Sequence, residues 1–177
     1  ILEQGGSAVD AAIAANAVLG VVEPMMNGIG GDLFALYWEA KTGKLTGLNA
    51  SGPAPLALSP EFLERRGMRA MPETGIHAVT VPGAVRGWAS MHERFGTLPW
   101  KPLFASATAY AERGFPVSEV TQALWSEPST IGRLRASPEA ARVFLPSGHS
   151  PRHQGELFRN ADLARAYDLI AKDGADQ

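Results

Sequence analysis

The sequence predicts an α+β fold, mostly helical and organised around one buried β-hairpin, and three observations carry that prediction. Residues 27–55 read as a Gly-rich turn, a strand, a tight turn, a second strand and a Pro-rich exit. Residues 33–38 are apolar at every position, the pattern of a strand covered on both faces. From Ala84 onward, Val85, Trp88, Met91 and Phe95 recur at helical spacing, and further helix starts and stops follow towards the end of the chain.

Taken in order, residues 1–5 read as the last turn of a helix. Ser7 with Asp10 three residues on is a capping-box variant that opens an Ala-rich helix to about Leu19. So many alanines leave few polar positions on any face, which predicts burial. Gly20 supplies a stop and Pro24 prevents the helix from resuming. In the turn that follows, Gly28, Gly30 and Gly31 predict positive φ or a close backbone approach. Lys41-Thr42-Gly43-Lys44 fits a short hairpin loop with Gly43 left-handed, and residues 45–49 form the return strand.

Beyond the hairpin, Pro53, Pro55 and Pro60 mark an irregular connection. Ser59-Pro60-Glu61 starts one short helix that Gly67 ends. Residues 78–81 predict a brief strand ending at Pro82. The helix from Ala84 closes at Gly96. Another follows Pro99, with Leu103, Phe104, Ala107 and Tyr110 as its stripe and Gly114 as its end. Ser118 caps a helix to about Trp125, Ser137-Pro138-Glu139 starts one that Pro146 ends, and Asn160 caps the last. Leu163, Tyr167 and Ile170 form that last stripe, and residues 147–155 are the best loop candidate.

Composition narrows the function. A chain of 177 residues can bury a real core as one domain, and 45% apolar with 19% charged residues is ordinary for a globular protein. A net charge of -2 provides no basic field for nucleic acid or an anionic membrane surface. The helix at residues 8–19 is too short to span a bilayer. The absence of cysteine excludes disulfides, thiolate metal sites and a Cys nucleophile. It leaves the compartment undecided, with the cytoplasm slightly favoured over the periplasm or secretion.

Each candidate for chemistry has a plainer competitor. The Gly28/Gly30/Gly31 cluster could aim backbone N–H groups at an oxyanion, but it is neither GxGxxG nor a P-loop, and a tight turn is the plainer explanation. Asp32 could orient a nucleophile, yet an Asp beside a Gly turn more often caps backbone amides. Asn49 and Ser51 end a strand, a common place for a ligand contact, and also fit ordinary turn chemistry. Ser51 lies in no GxSxG elbow, so it is not read as a nucleophile. His77, His92, His149 and His153 form no HExxH pattern, and no metal or cofactor is implied. Trp88, Met91, Trp100 and Trp125 read as core, and Arg65, Arg66 and Arg69 as a solvated helix end.

Five stretches in order, GGSAVDAAIAANAVLGVVEP, GIGGDLF, AKTGKLTGLNASGPAP, VTVPGAVRGW and RFGTLPW, with AERGFPVS after them, resemble the γ-glutamyltranspeptidase family. The resemblance implies an N-terminal-nucleophile (Ntn) hydrolase with a four-layer αββα sandwich, made as a precursor that cuts itself into large and small subunits. Residues 1–177 would then be a single partial domain of the large subunit, with a hairpin region at 27–55 and a helical region at 59–173. The small subunit of the same precursor would be the partner and a small-molecule amide the substrate. The catalytic threonine, whose own α-amine serves as base, would lie beyond Gln177. This chain alone is then expected to be inactive.

The same resemblance flags two departures. Family members grip the donor's α-carboxylate with an arginine in a DGRETAP-like segment, and that segment aligns with residues 49–55 here, Ser51 standing at the arginine. Asp32 stands where transpeptidases carry another glycine. Both resemble the branch that includes oxamate amidohydrolase and put γ-glutamyl specificity in doubt. Two alternatives remain: a non-catalytic binding or interaction module, and a self-sufficient hydrolase built on Ser51.

Overall fold

The computed structural model describes residues 1–175, and its elements follow largely from local signals. Helix α1 (Ala8–Val22) starts with the expected capping box: Ser7 accepts from the Asp10 N–H, and Asp10 accepts from the Ser7 N–H. It runs past the expected stop. Gly20 is a buried interior residue, and a Cβ there would sit 2.8 Å from the Tyr167 hydroxyl. Glycine at this position lets that hydroxyl donate to the Ala17 carbonyl at 2.8 Å, tying α1 to the last helix.

Strands β1 (Leu33–Glu39) and β2 (Lys44–Ala50) pair antiparallel, with Leu36 opposite Gly47 and Phe34 opposite Asn49. Gly43 takes φ 65° in the loop between them, as its hairpin position requires. The expected cover on both faces is absent among the described residues. Leu33, Ala35 and Tyr37 turn inward towards helix α3 (Ala84–Phe95), whereas Phe34, Leu36 and Trp38 are 66%, 79% and 59% exposed. The unbroken apolar run is therefore a two-faced strand with one face filled.

After the hairpin come α2 (Pro60–Glu64), capped by Ser59, and a 3-10 turn at Ile76–Ala78. The strand expected at residues 78–81 does not form. That segment crosses over Gly52 and makes one backbone bond there, from the Val81 N–H to the Pro53 carbonyl at 3.0 Å.

Helix α4 (Ala105–Arg113) starts later than expected after Pro99, behind a 3-10 turn at Lys101–Phe104 and without a side-chain cap. Helices α5 (Glu119–Trp125), α7 (Pro138–Phe144) and α8 (Ala161–Asp173) arise at the expected capping signals, with Ser118, Ser137 and Asn160 as side-chain caps. Helix α6 (Pro128–Arg135) and a two-residue pairing of β3 (Phe115–Pro116) with β4 (Leu157–Phe158) had no assigned signal. The expected loop at residues 147–155 carries no regular element.

The layers stack as hairpin, α3, α1, α4 and α8. Between them lie Ile13, Ala17, Trp88, Leu103, Phe104 and Tyr167, all buried. The Phe104 ring sits 4.7 Å from Trp100 and 5.9 Å from Trp88, within the range of favourable aromatic pairs. Trp88 satisfies its buried indole N–H on the Asn16 side-chain oxygen at 2.9 Å. A second cluster joins Trp125, Phe144 and Phe158 around β4.

Asp10 is the one fully buried carboxylate among the described core residues. Burial pushes its pKa up, but the N–H groups of Thr97, Ser7 and Leu98 and the Thr97 hydroxyl all donate to it. Together these bonds outweigh burial and hold it at about 2. Its other oxygen has no hydrogen bond and lies 3.7 Å from the His92 Nε2.

Candidate functional site

Three segments far apart in sequence meet at one end of the hairpin: the turn at 27–32, the exit of β2 at 49–53, and the stretch at 79–84 that leads into α3. Asp32 joins all three. Its Oδ1 accepts from the Gly52 N–H at 2.8 Å and from the Thr80 hydroxyl at 3.3 Å. Beside it, the Gly31 carbonyl accepts from the N–H groups of Gly83 and Ala84, both at 3.0 Å, and so satisfies two of the free donors at the start of α3. Asn49 closes the exit turn by accepting the Ser51 N–H at 2.9 Å, an Asx-turn.

The glycines that make this meeting possible are not those that the sequence singled out. Neither Gly28, Gly30 nor Gly31 has positive φ, and a Cβ at Gly28 or Gly30 would meet nothing within 4 Å. A Cβ at Gly52 would instead fall 1.5 Å from the Val81 carbonyl oxygen, and one at Gly83 would fall 2.1 Å from the Ala50 oxygen. At Gly87 it would lie 2.7 Å from both the Ala50 Cβ and a Leu33 methyl. The four-residue spacing of Gly83 and Gly87 puts both on the face of α3 that meets the hairpin. That spacing, in VTVPGAVRGW, was the available signal for them, whereas Thr80 left none.

Asn49, Ser51 and Asp32 are exposed. A cavity of about 390 Å³ opens against the turn, bounded by Pro24, Met26, Asn27, Gly30 and Asp32. Thr80 itself lines an apolar cleft of about 380 Å³, together with Leu58, Phe62, His77, Val79 and Val81. No ion pair to Asp32 forms from any described lysine or arginine.

The arrangement can hold and orient a ligand, but it has no nucleophile with a base. No described histidine bonds Ser51: His77 packs edge-on against Phe62 at 5.5 Å, and His92 lies against the Leu98 carbonyl at 2.8 Å. His149 and His153 sit in the second-half loop. No group of three His, Cys, Asp or Glu among the described residues could hold a metal ion. No helix among them is long and apolar enough to cross a membrane.

Comparison with known proteins gives this geometry its context. The family model described as gamma-glutamyltranspeptidase matches residues 1–177. The glutathione hydrolase proenzyme of Bacillus subtilis is 35% identical over 182 residues, which cover 99% of this chain and 30% of that protein. Among solved structures, the Helicobacter pylori gamma-glutamyltranspeptidase superposes with a TM-score of 0.89 at 32% identity, covering 98% of this chain and 50% of that one. A cephalosporin acylase from Bacillus halodurans reaches the same TM-score, 0.89, at 38% identity, over 99% of this chain and 33% of the other. The α+β arrangement is thus part of an Ntn-hydrolase fold, and the chain spans about a third of the length of the proenzyme it matches.

Proposed function

Because this chain belongs to the γ-glutamyltranspeptidase family, we propose that the complete protein is an Ntn amidohydrolase or acyltransferase, with these residues part of its large subunit. The match over residues 1–177 is the observation that carries the proposal, since it spans every segment of the site. In that scheme a threonine outside this chain attacks the amide carbonyl, and its free α-amine takes the proton. The leaving amine departs, and water or a second amine then releases the acyl group. The present residues supply a wall: Asn49 and Ser51 face the acyl group, and Asp32, Gly31 and Thr80 hold that wall in place.

The partner is the remainder of the same precursor. The word proenzyme in the name of the Bacillus subtilis relative supports processing into two chains. The exposed Phe34, Leu36 and Trp38 form an apolar face beside a β1 edge that is unpaired among the described residues. Such a face and edge are liabilities unless something covers them. A groove of about 440 Å³ between α1 and β1, bordered by Ala12, Ala15, Leu19, Phe34 and Leu36, extends that face.

The donor is an acyl group without the amino-acid carboxylate of γ-glutamyl compounds. Ser51 offers one neutral hydrogen bond where an arginine would offer two charge-assisted ones, and no Lys or Arg occurs between Lys44 and Arg65. The likeness to a cephalosporin acylase supports a donor of another kind. Leaving a carboxylate without its cation costs about 30-fold to several thousand-fold in binding. The test is kcat/KM for γ-glutamyl and simple acyl anilides in the complete protein and in Ser51→Arg. The native protein should favour the simple acyl donor, and a wide preference for γ-glutamyl would overturn the donor assignment.

A further inference from the structure

Resting on the acyl-transfer function proposed above, we propose that Asp32 is a specificity-determining residue that turns the site against acyl donors carrying an anionic group at the Ser51 turn. Ser51 and Asp32 are 19 positions apart in sequence, but the Asp32 carboxylate reaches the N–H of the very next residue, Gly52, at 2.8 Å. The negative charge therefore sits at the base of the turn that presents Ser51. It is exposed, it borders the cavity at the Gly turn, and no described lysine or arginine pairs with it. A carboxylate arriving at that turn meets a like charge.

The turn cannot relax away from Asp32. Gly52 is pressed against Val81, whose N–H is bonded to Pro53, and Thr80 is bonded to the same carboxylate oxygen as Gly52. Asp32 thus does two things at once. It clamps the exit of β2 to the stretch before α3, and it makes the clamped turn acidic. An arginine placed at 51 would face this carboxylate first and be partly neutralised by it, so the residues at 32 and 51 act as a pair. A donor whose acyl chain is uncharged at this point loses nothing.

The experiment compares kcat/KM for glutaryl p-nitroanilide, whose acyl chain ends in a lone carboxylate, and butyryl p-nitroanilide in the complete, processed protein. The glutaryl to butyryl ratio is read in native protein, Asp32→Asn, Ser51→Arg and the double variant. Asparagine keeps an oxygen for Gly52 and Thr80 while removing the charge. The ratio should rise about fivefold to tenfold in Asp32→Asn. The double variant should exceed the product of the two single effects, because Asp32 no longer competes for the new arginine. In native protein the ratio should also rise with salt as the repulsion is screened. That salt series decides the matter if Asp32→Asn fails to process. A ratio unmoved by both the substitution and salt, with butyryl turnover intact, overturns the role of Asp32 alone. Turnover of neither donor removes the function on which the role depends, and the role with it.

Discussion

Gly52→Val is expected to destabilise the protein by about 3 kcal/mol or more and to lower its melting temperature by about 6–12 °C. The cause is geometric. The first added carbon would lie 1.5 Å from the Val81 carbonyl oxygen, so backbone has to move rather than a side chain. Asp32, the Val81–Pro53 bond and the packing of Ala50 against Gly83 all resist that movement. Gly132→Ala makes the matching control. Gly132 lies inside α6 with nothing within 4 Å of an added Cβ, so alanine should stabilise by about 0.5–1 kcal/mol. Thermal melts of both variants check the pair, and a Gly52→Val protein that melts like the native one would contradict the close crossing.

Acid should weaken the protein through Asp10, in a window set by its low pKa. The folded carboxyl sits at about 2, against 3.8 for the free side chain, a gap of about 2 kcal/mol. Because the folded value is the lower one, this stabilisation is complete above pH about 4. It is lost as pH falls through the folded value of about 2. Asp10→Ala also strands the N–H groups of Ser7, Thr97 and Leu98 and should cost about 3 kcal/mol or more. Urea midpoints between pH 5 and pH 2 test this. The native protein should lose stability with a steeper slope than Asp10→Ala, and parallel slopes would show that Asp10 titrates normally.

What the sequence made legible was local. Caps such as Ser7, Ser59, Ser118, Ser137 and Asn160 are read from three or four neighbouring residues, and the structure has each of them accepting its backbone N–H. The hairpin loop at Gly43 is local in the same way. Helix α6 escaped because Ile131 and Leu134 alone make no stripe, and β3 with β4 are too short to show alternation.

The non-local features were misjudged. An apolar run at 33–38 reports that both faces of β1 are apolar, but not whether one chain covers both. Asp32 was legible as a capper of backbone amides, and its bond to Gly52 is of that kind. That it also reaches Thr80, and so fixes the turn of Ser51, depends on a crossing between segments that no local pattern encodes. The same crossing moved the need for glycine from the Gly28–Gly31 turn to Gly52, Gly83 and Gly87.

The central claim is that these residues belong to a self-processing Ntn hydrolase whose nucleophile lies outside them. It is tested most directly by intact mass and N-terminal sequencing of the complete gene product after expression. The account predicts two chains, one containing residues 1–177 and the other beginning with threonine, with amidase turnover only after the cut. A single uncut chain that hydrolyses amides, or a second chain beginning with a residue that carries no nucleophile, would contradict it.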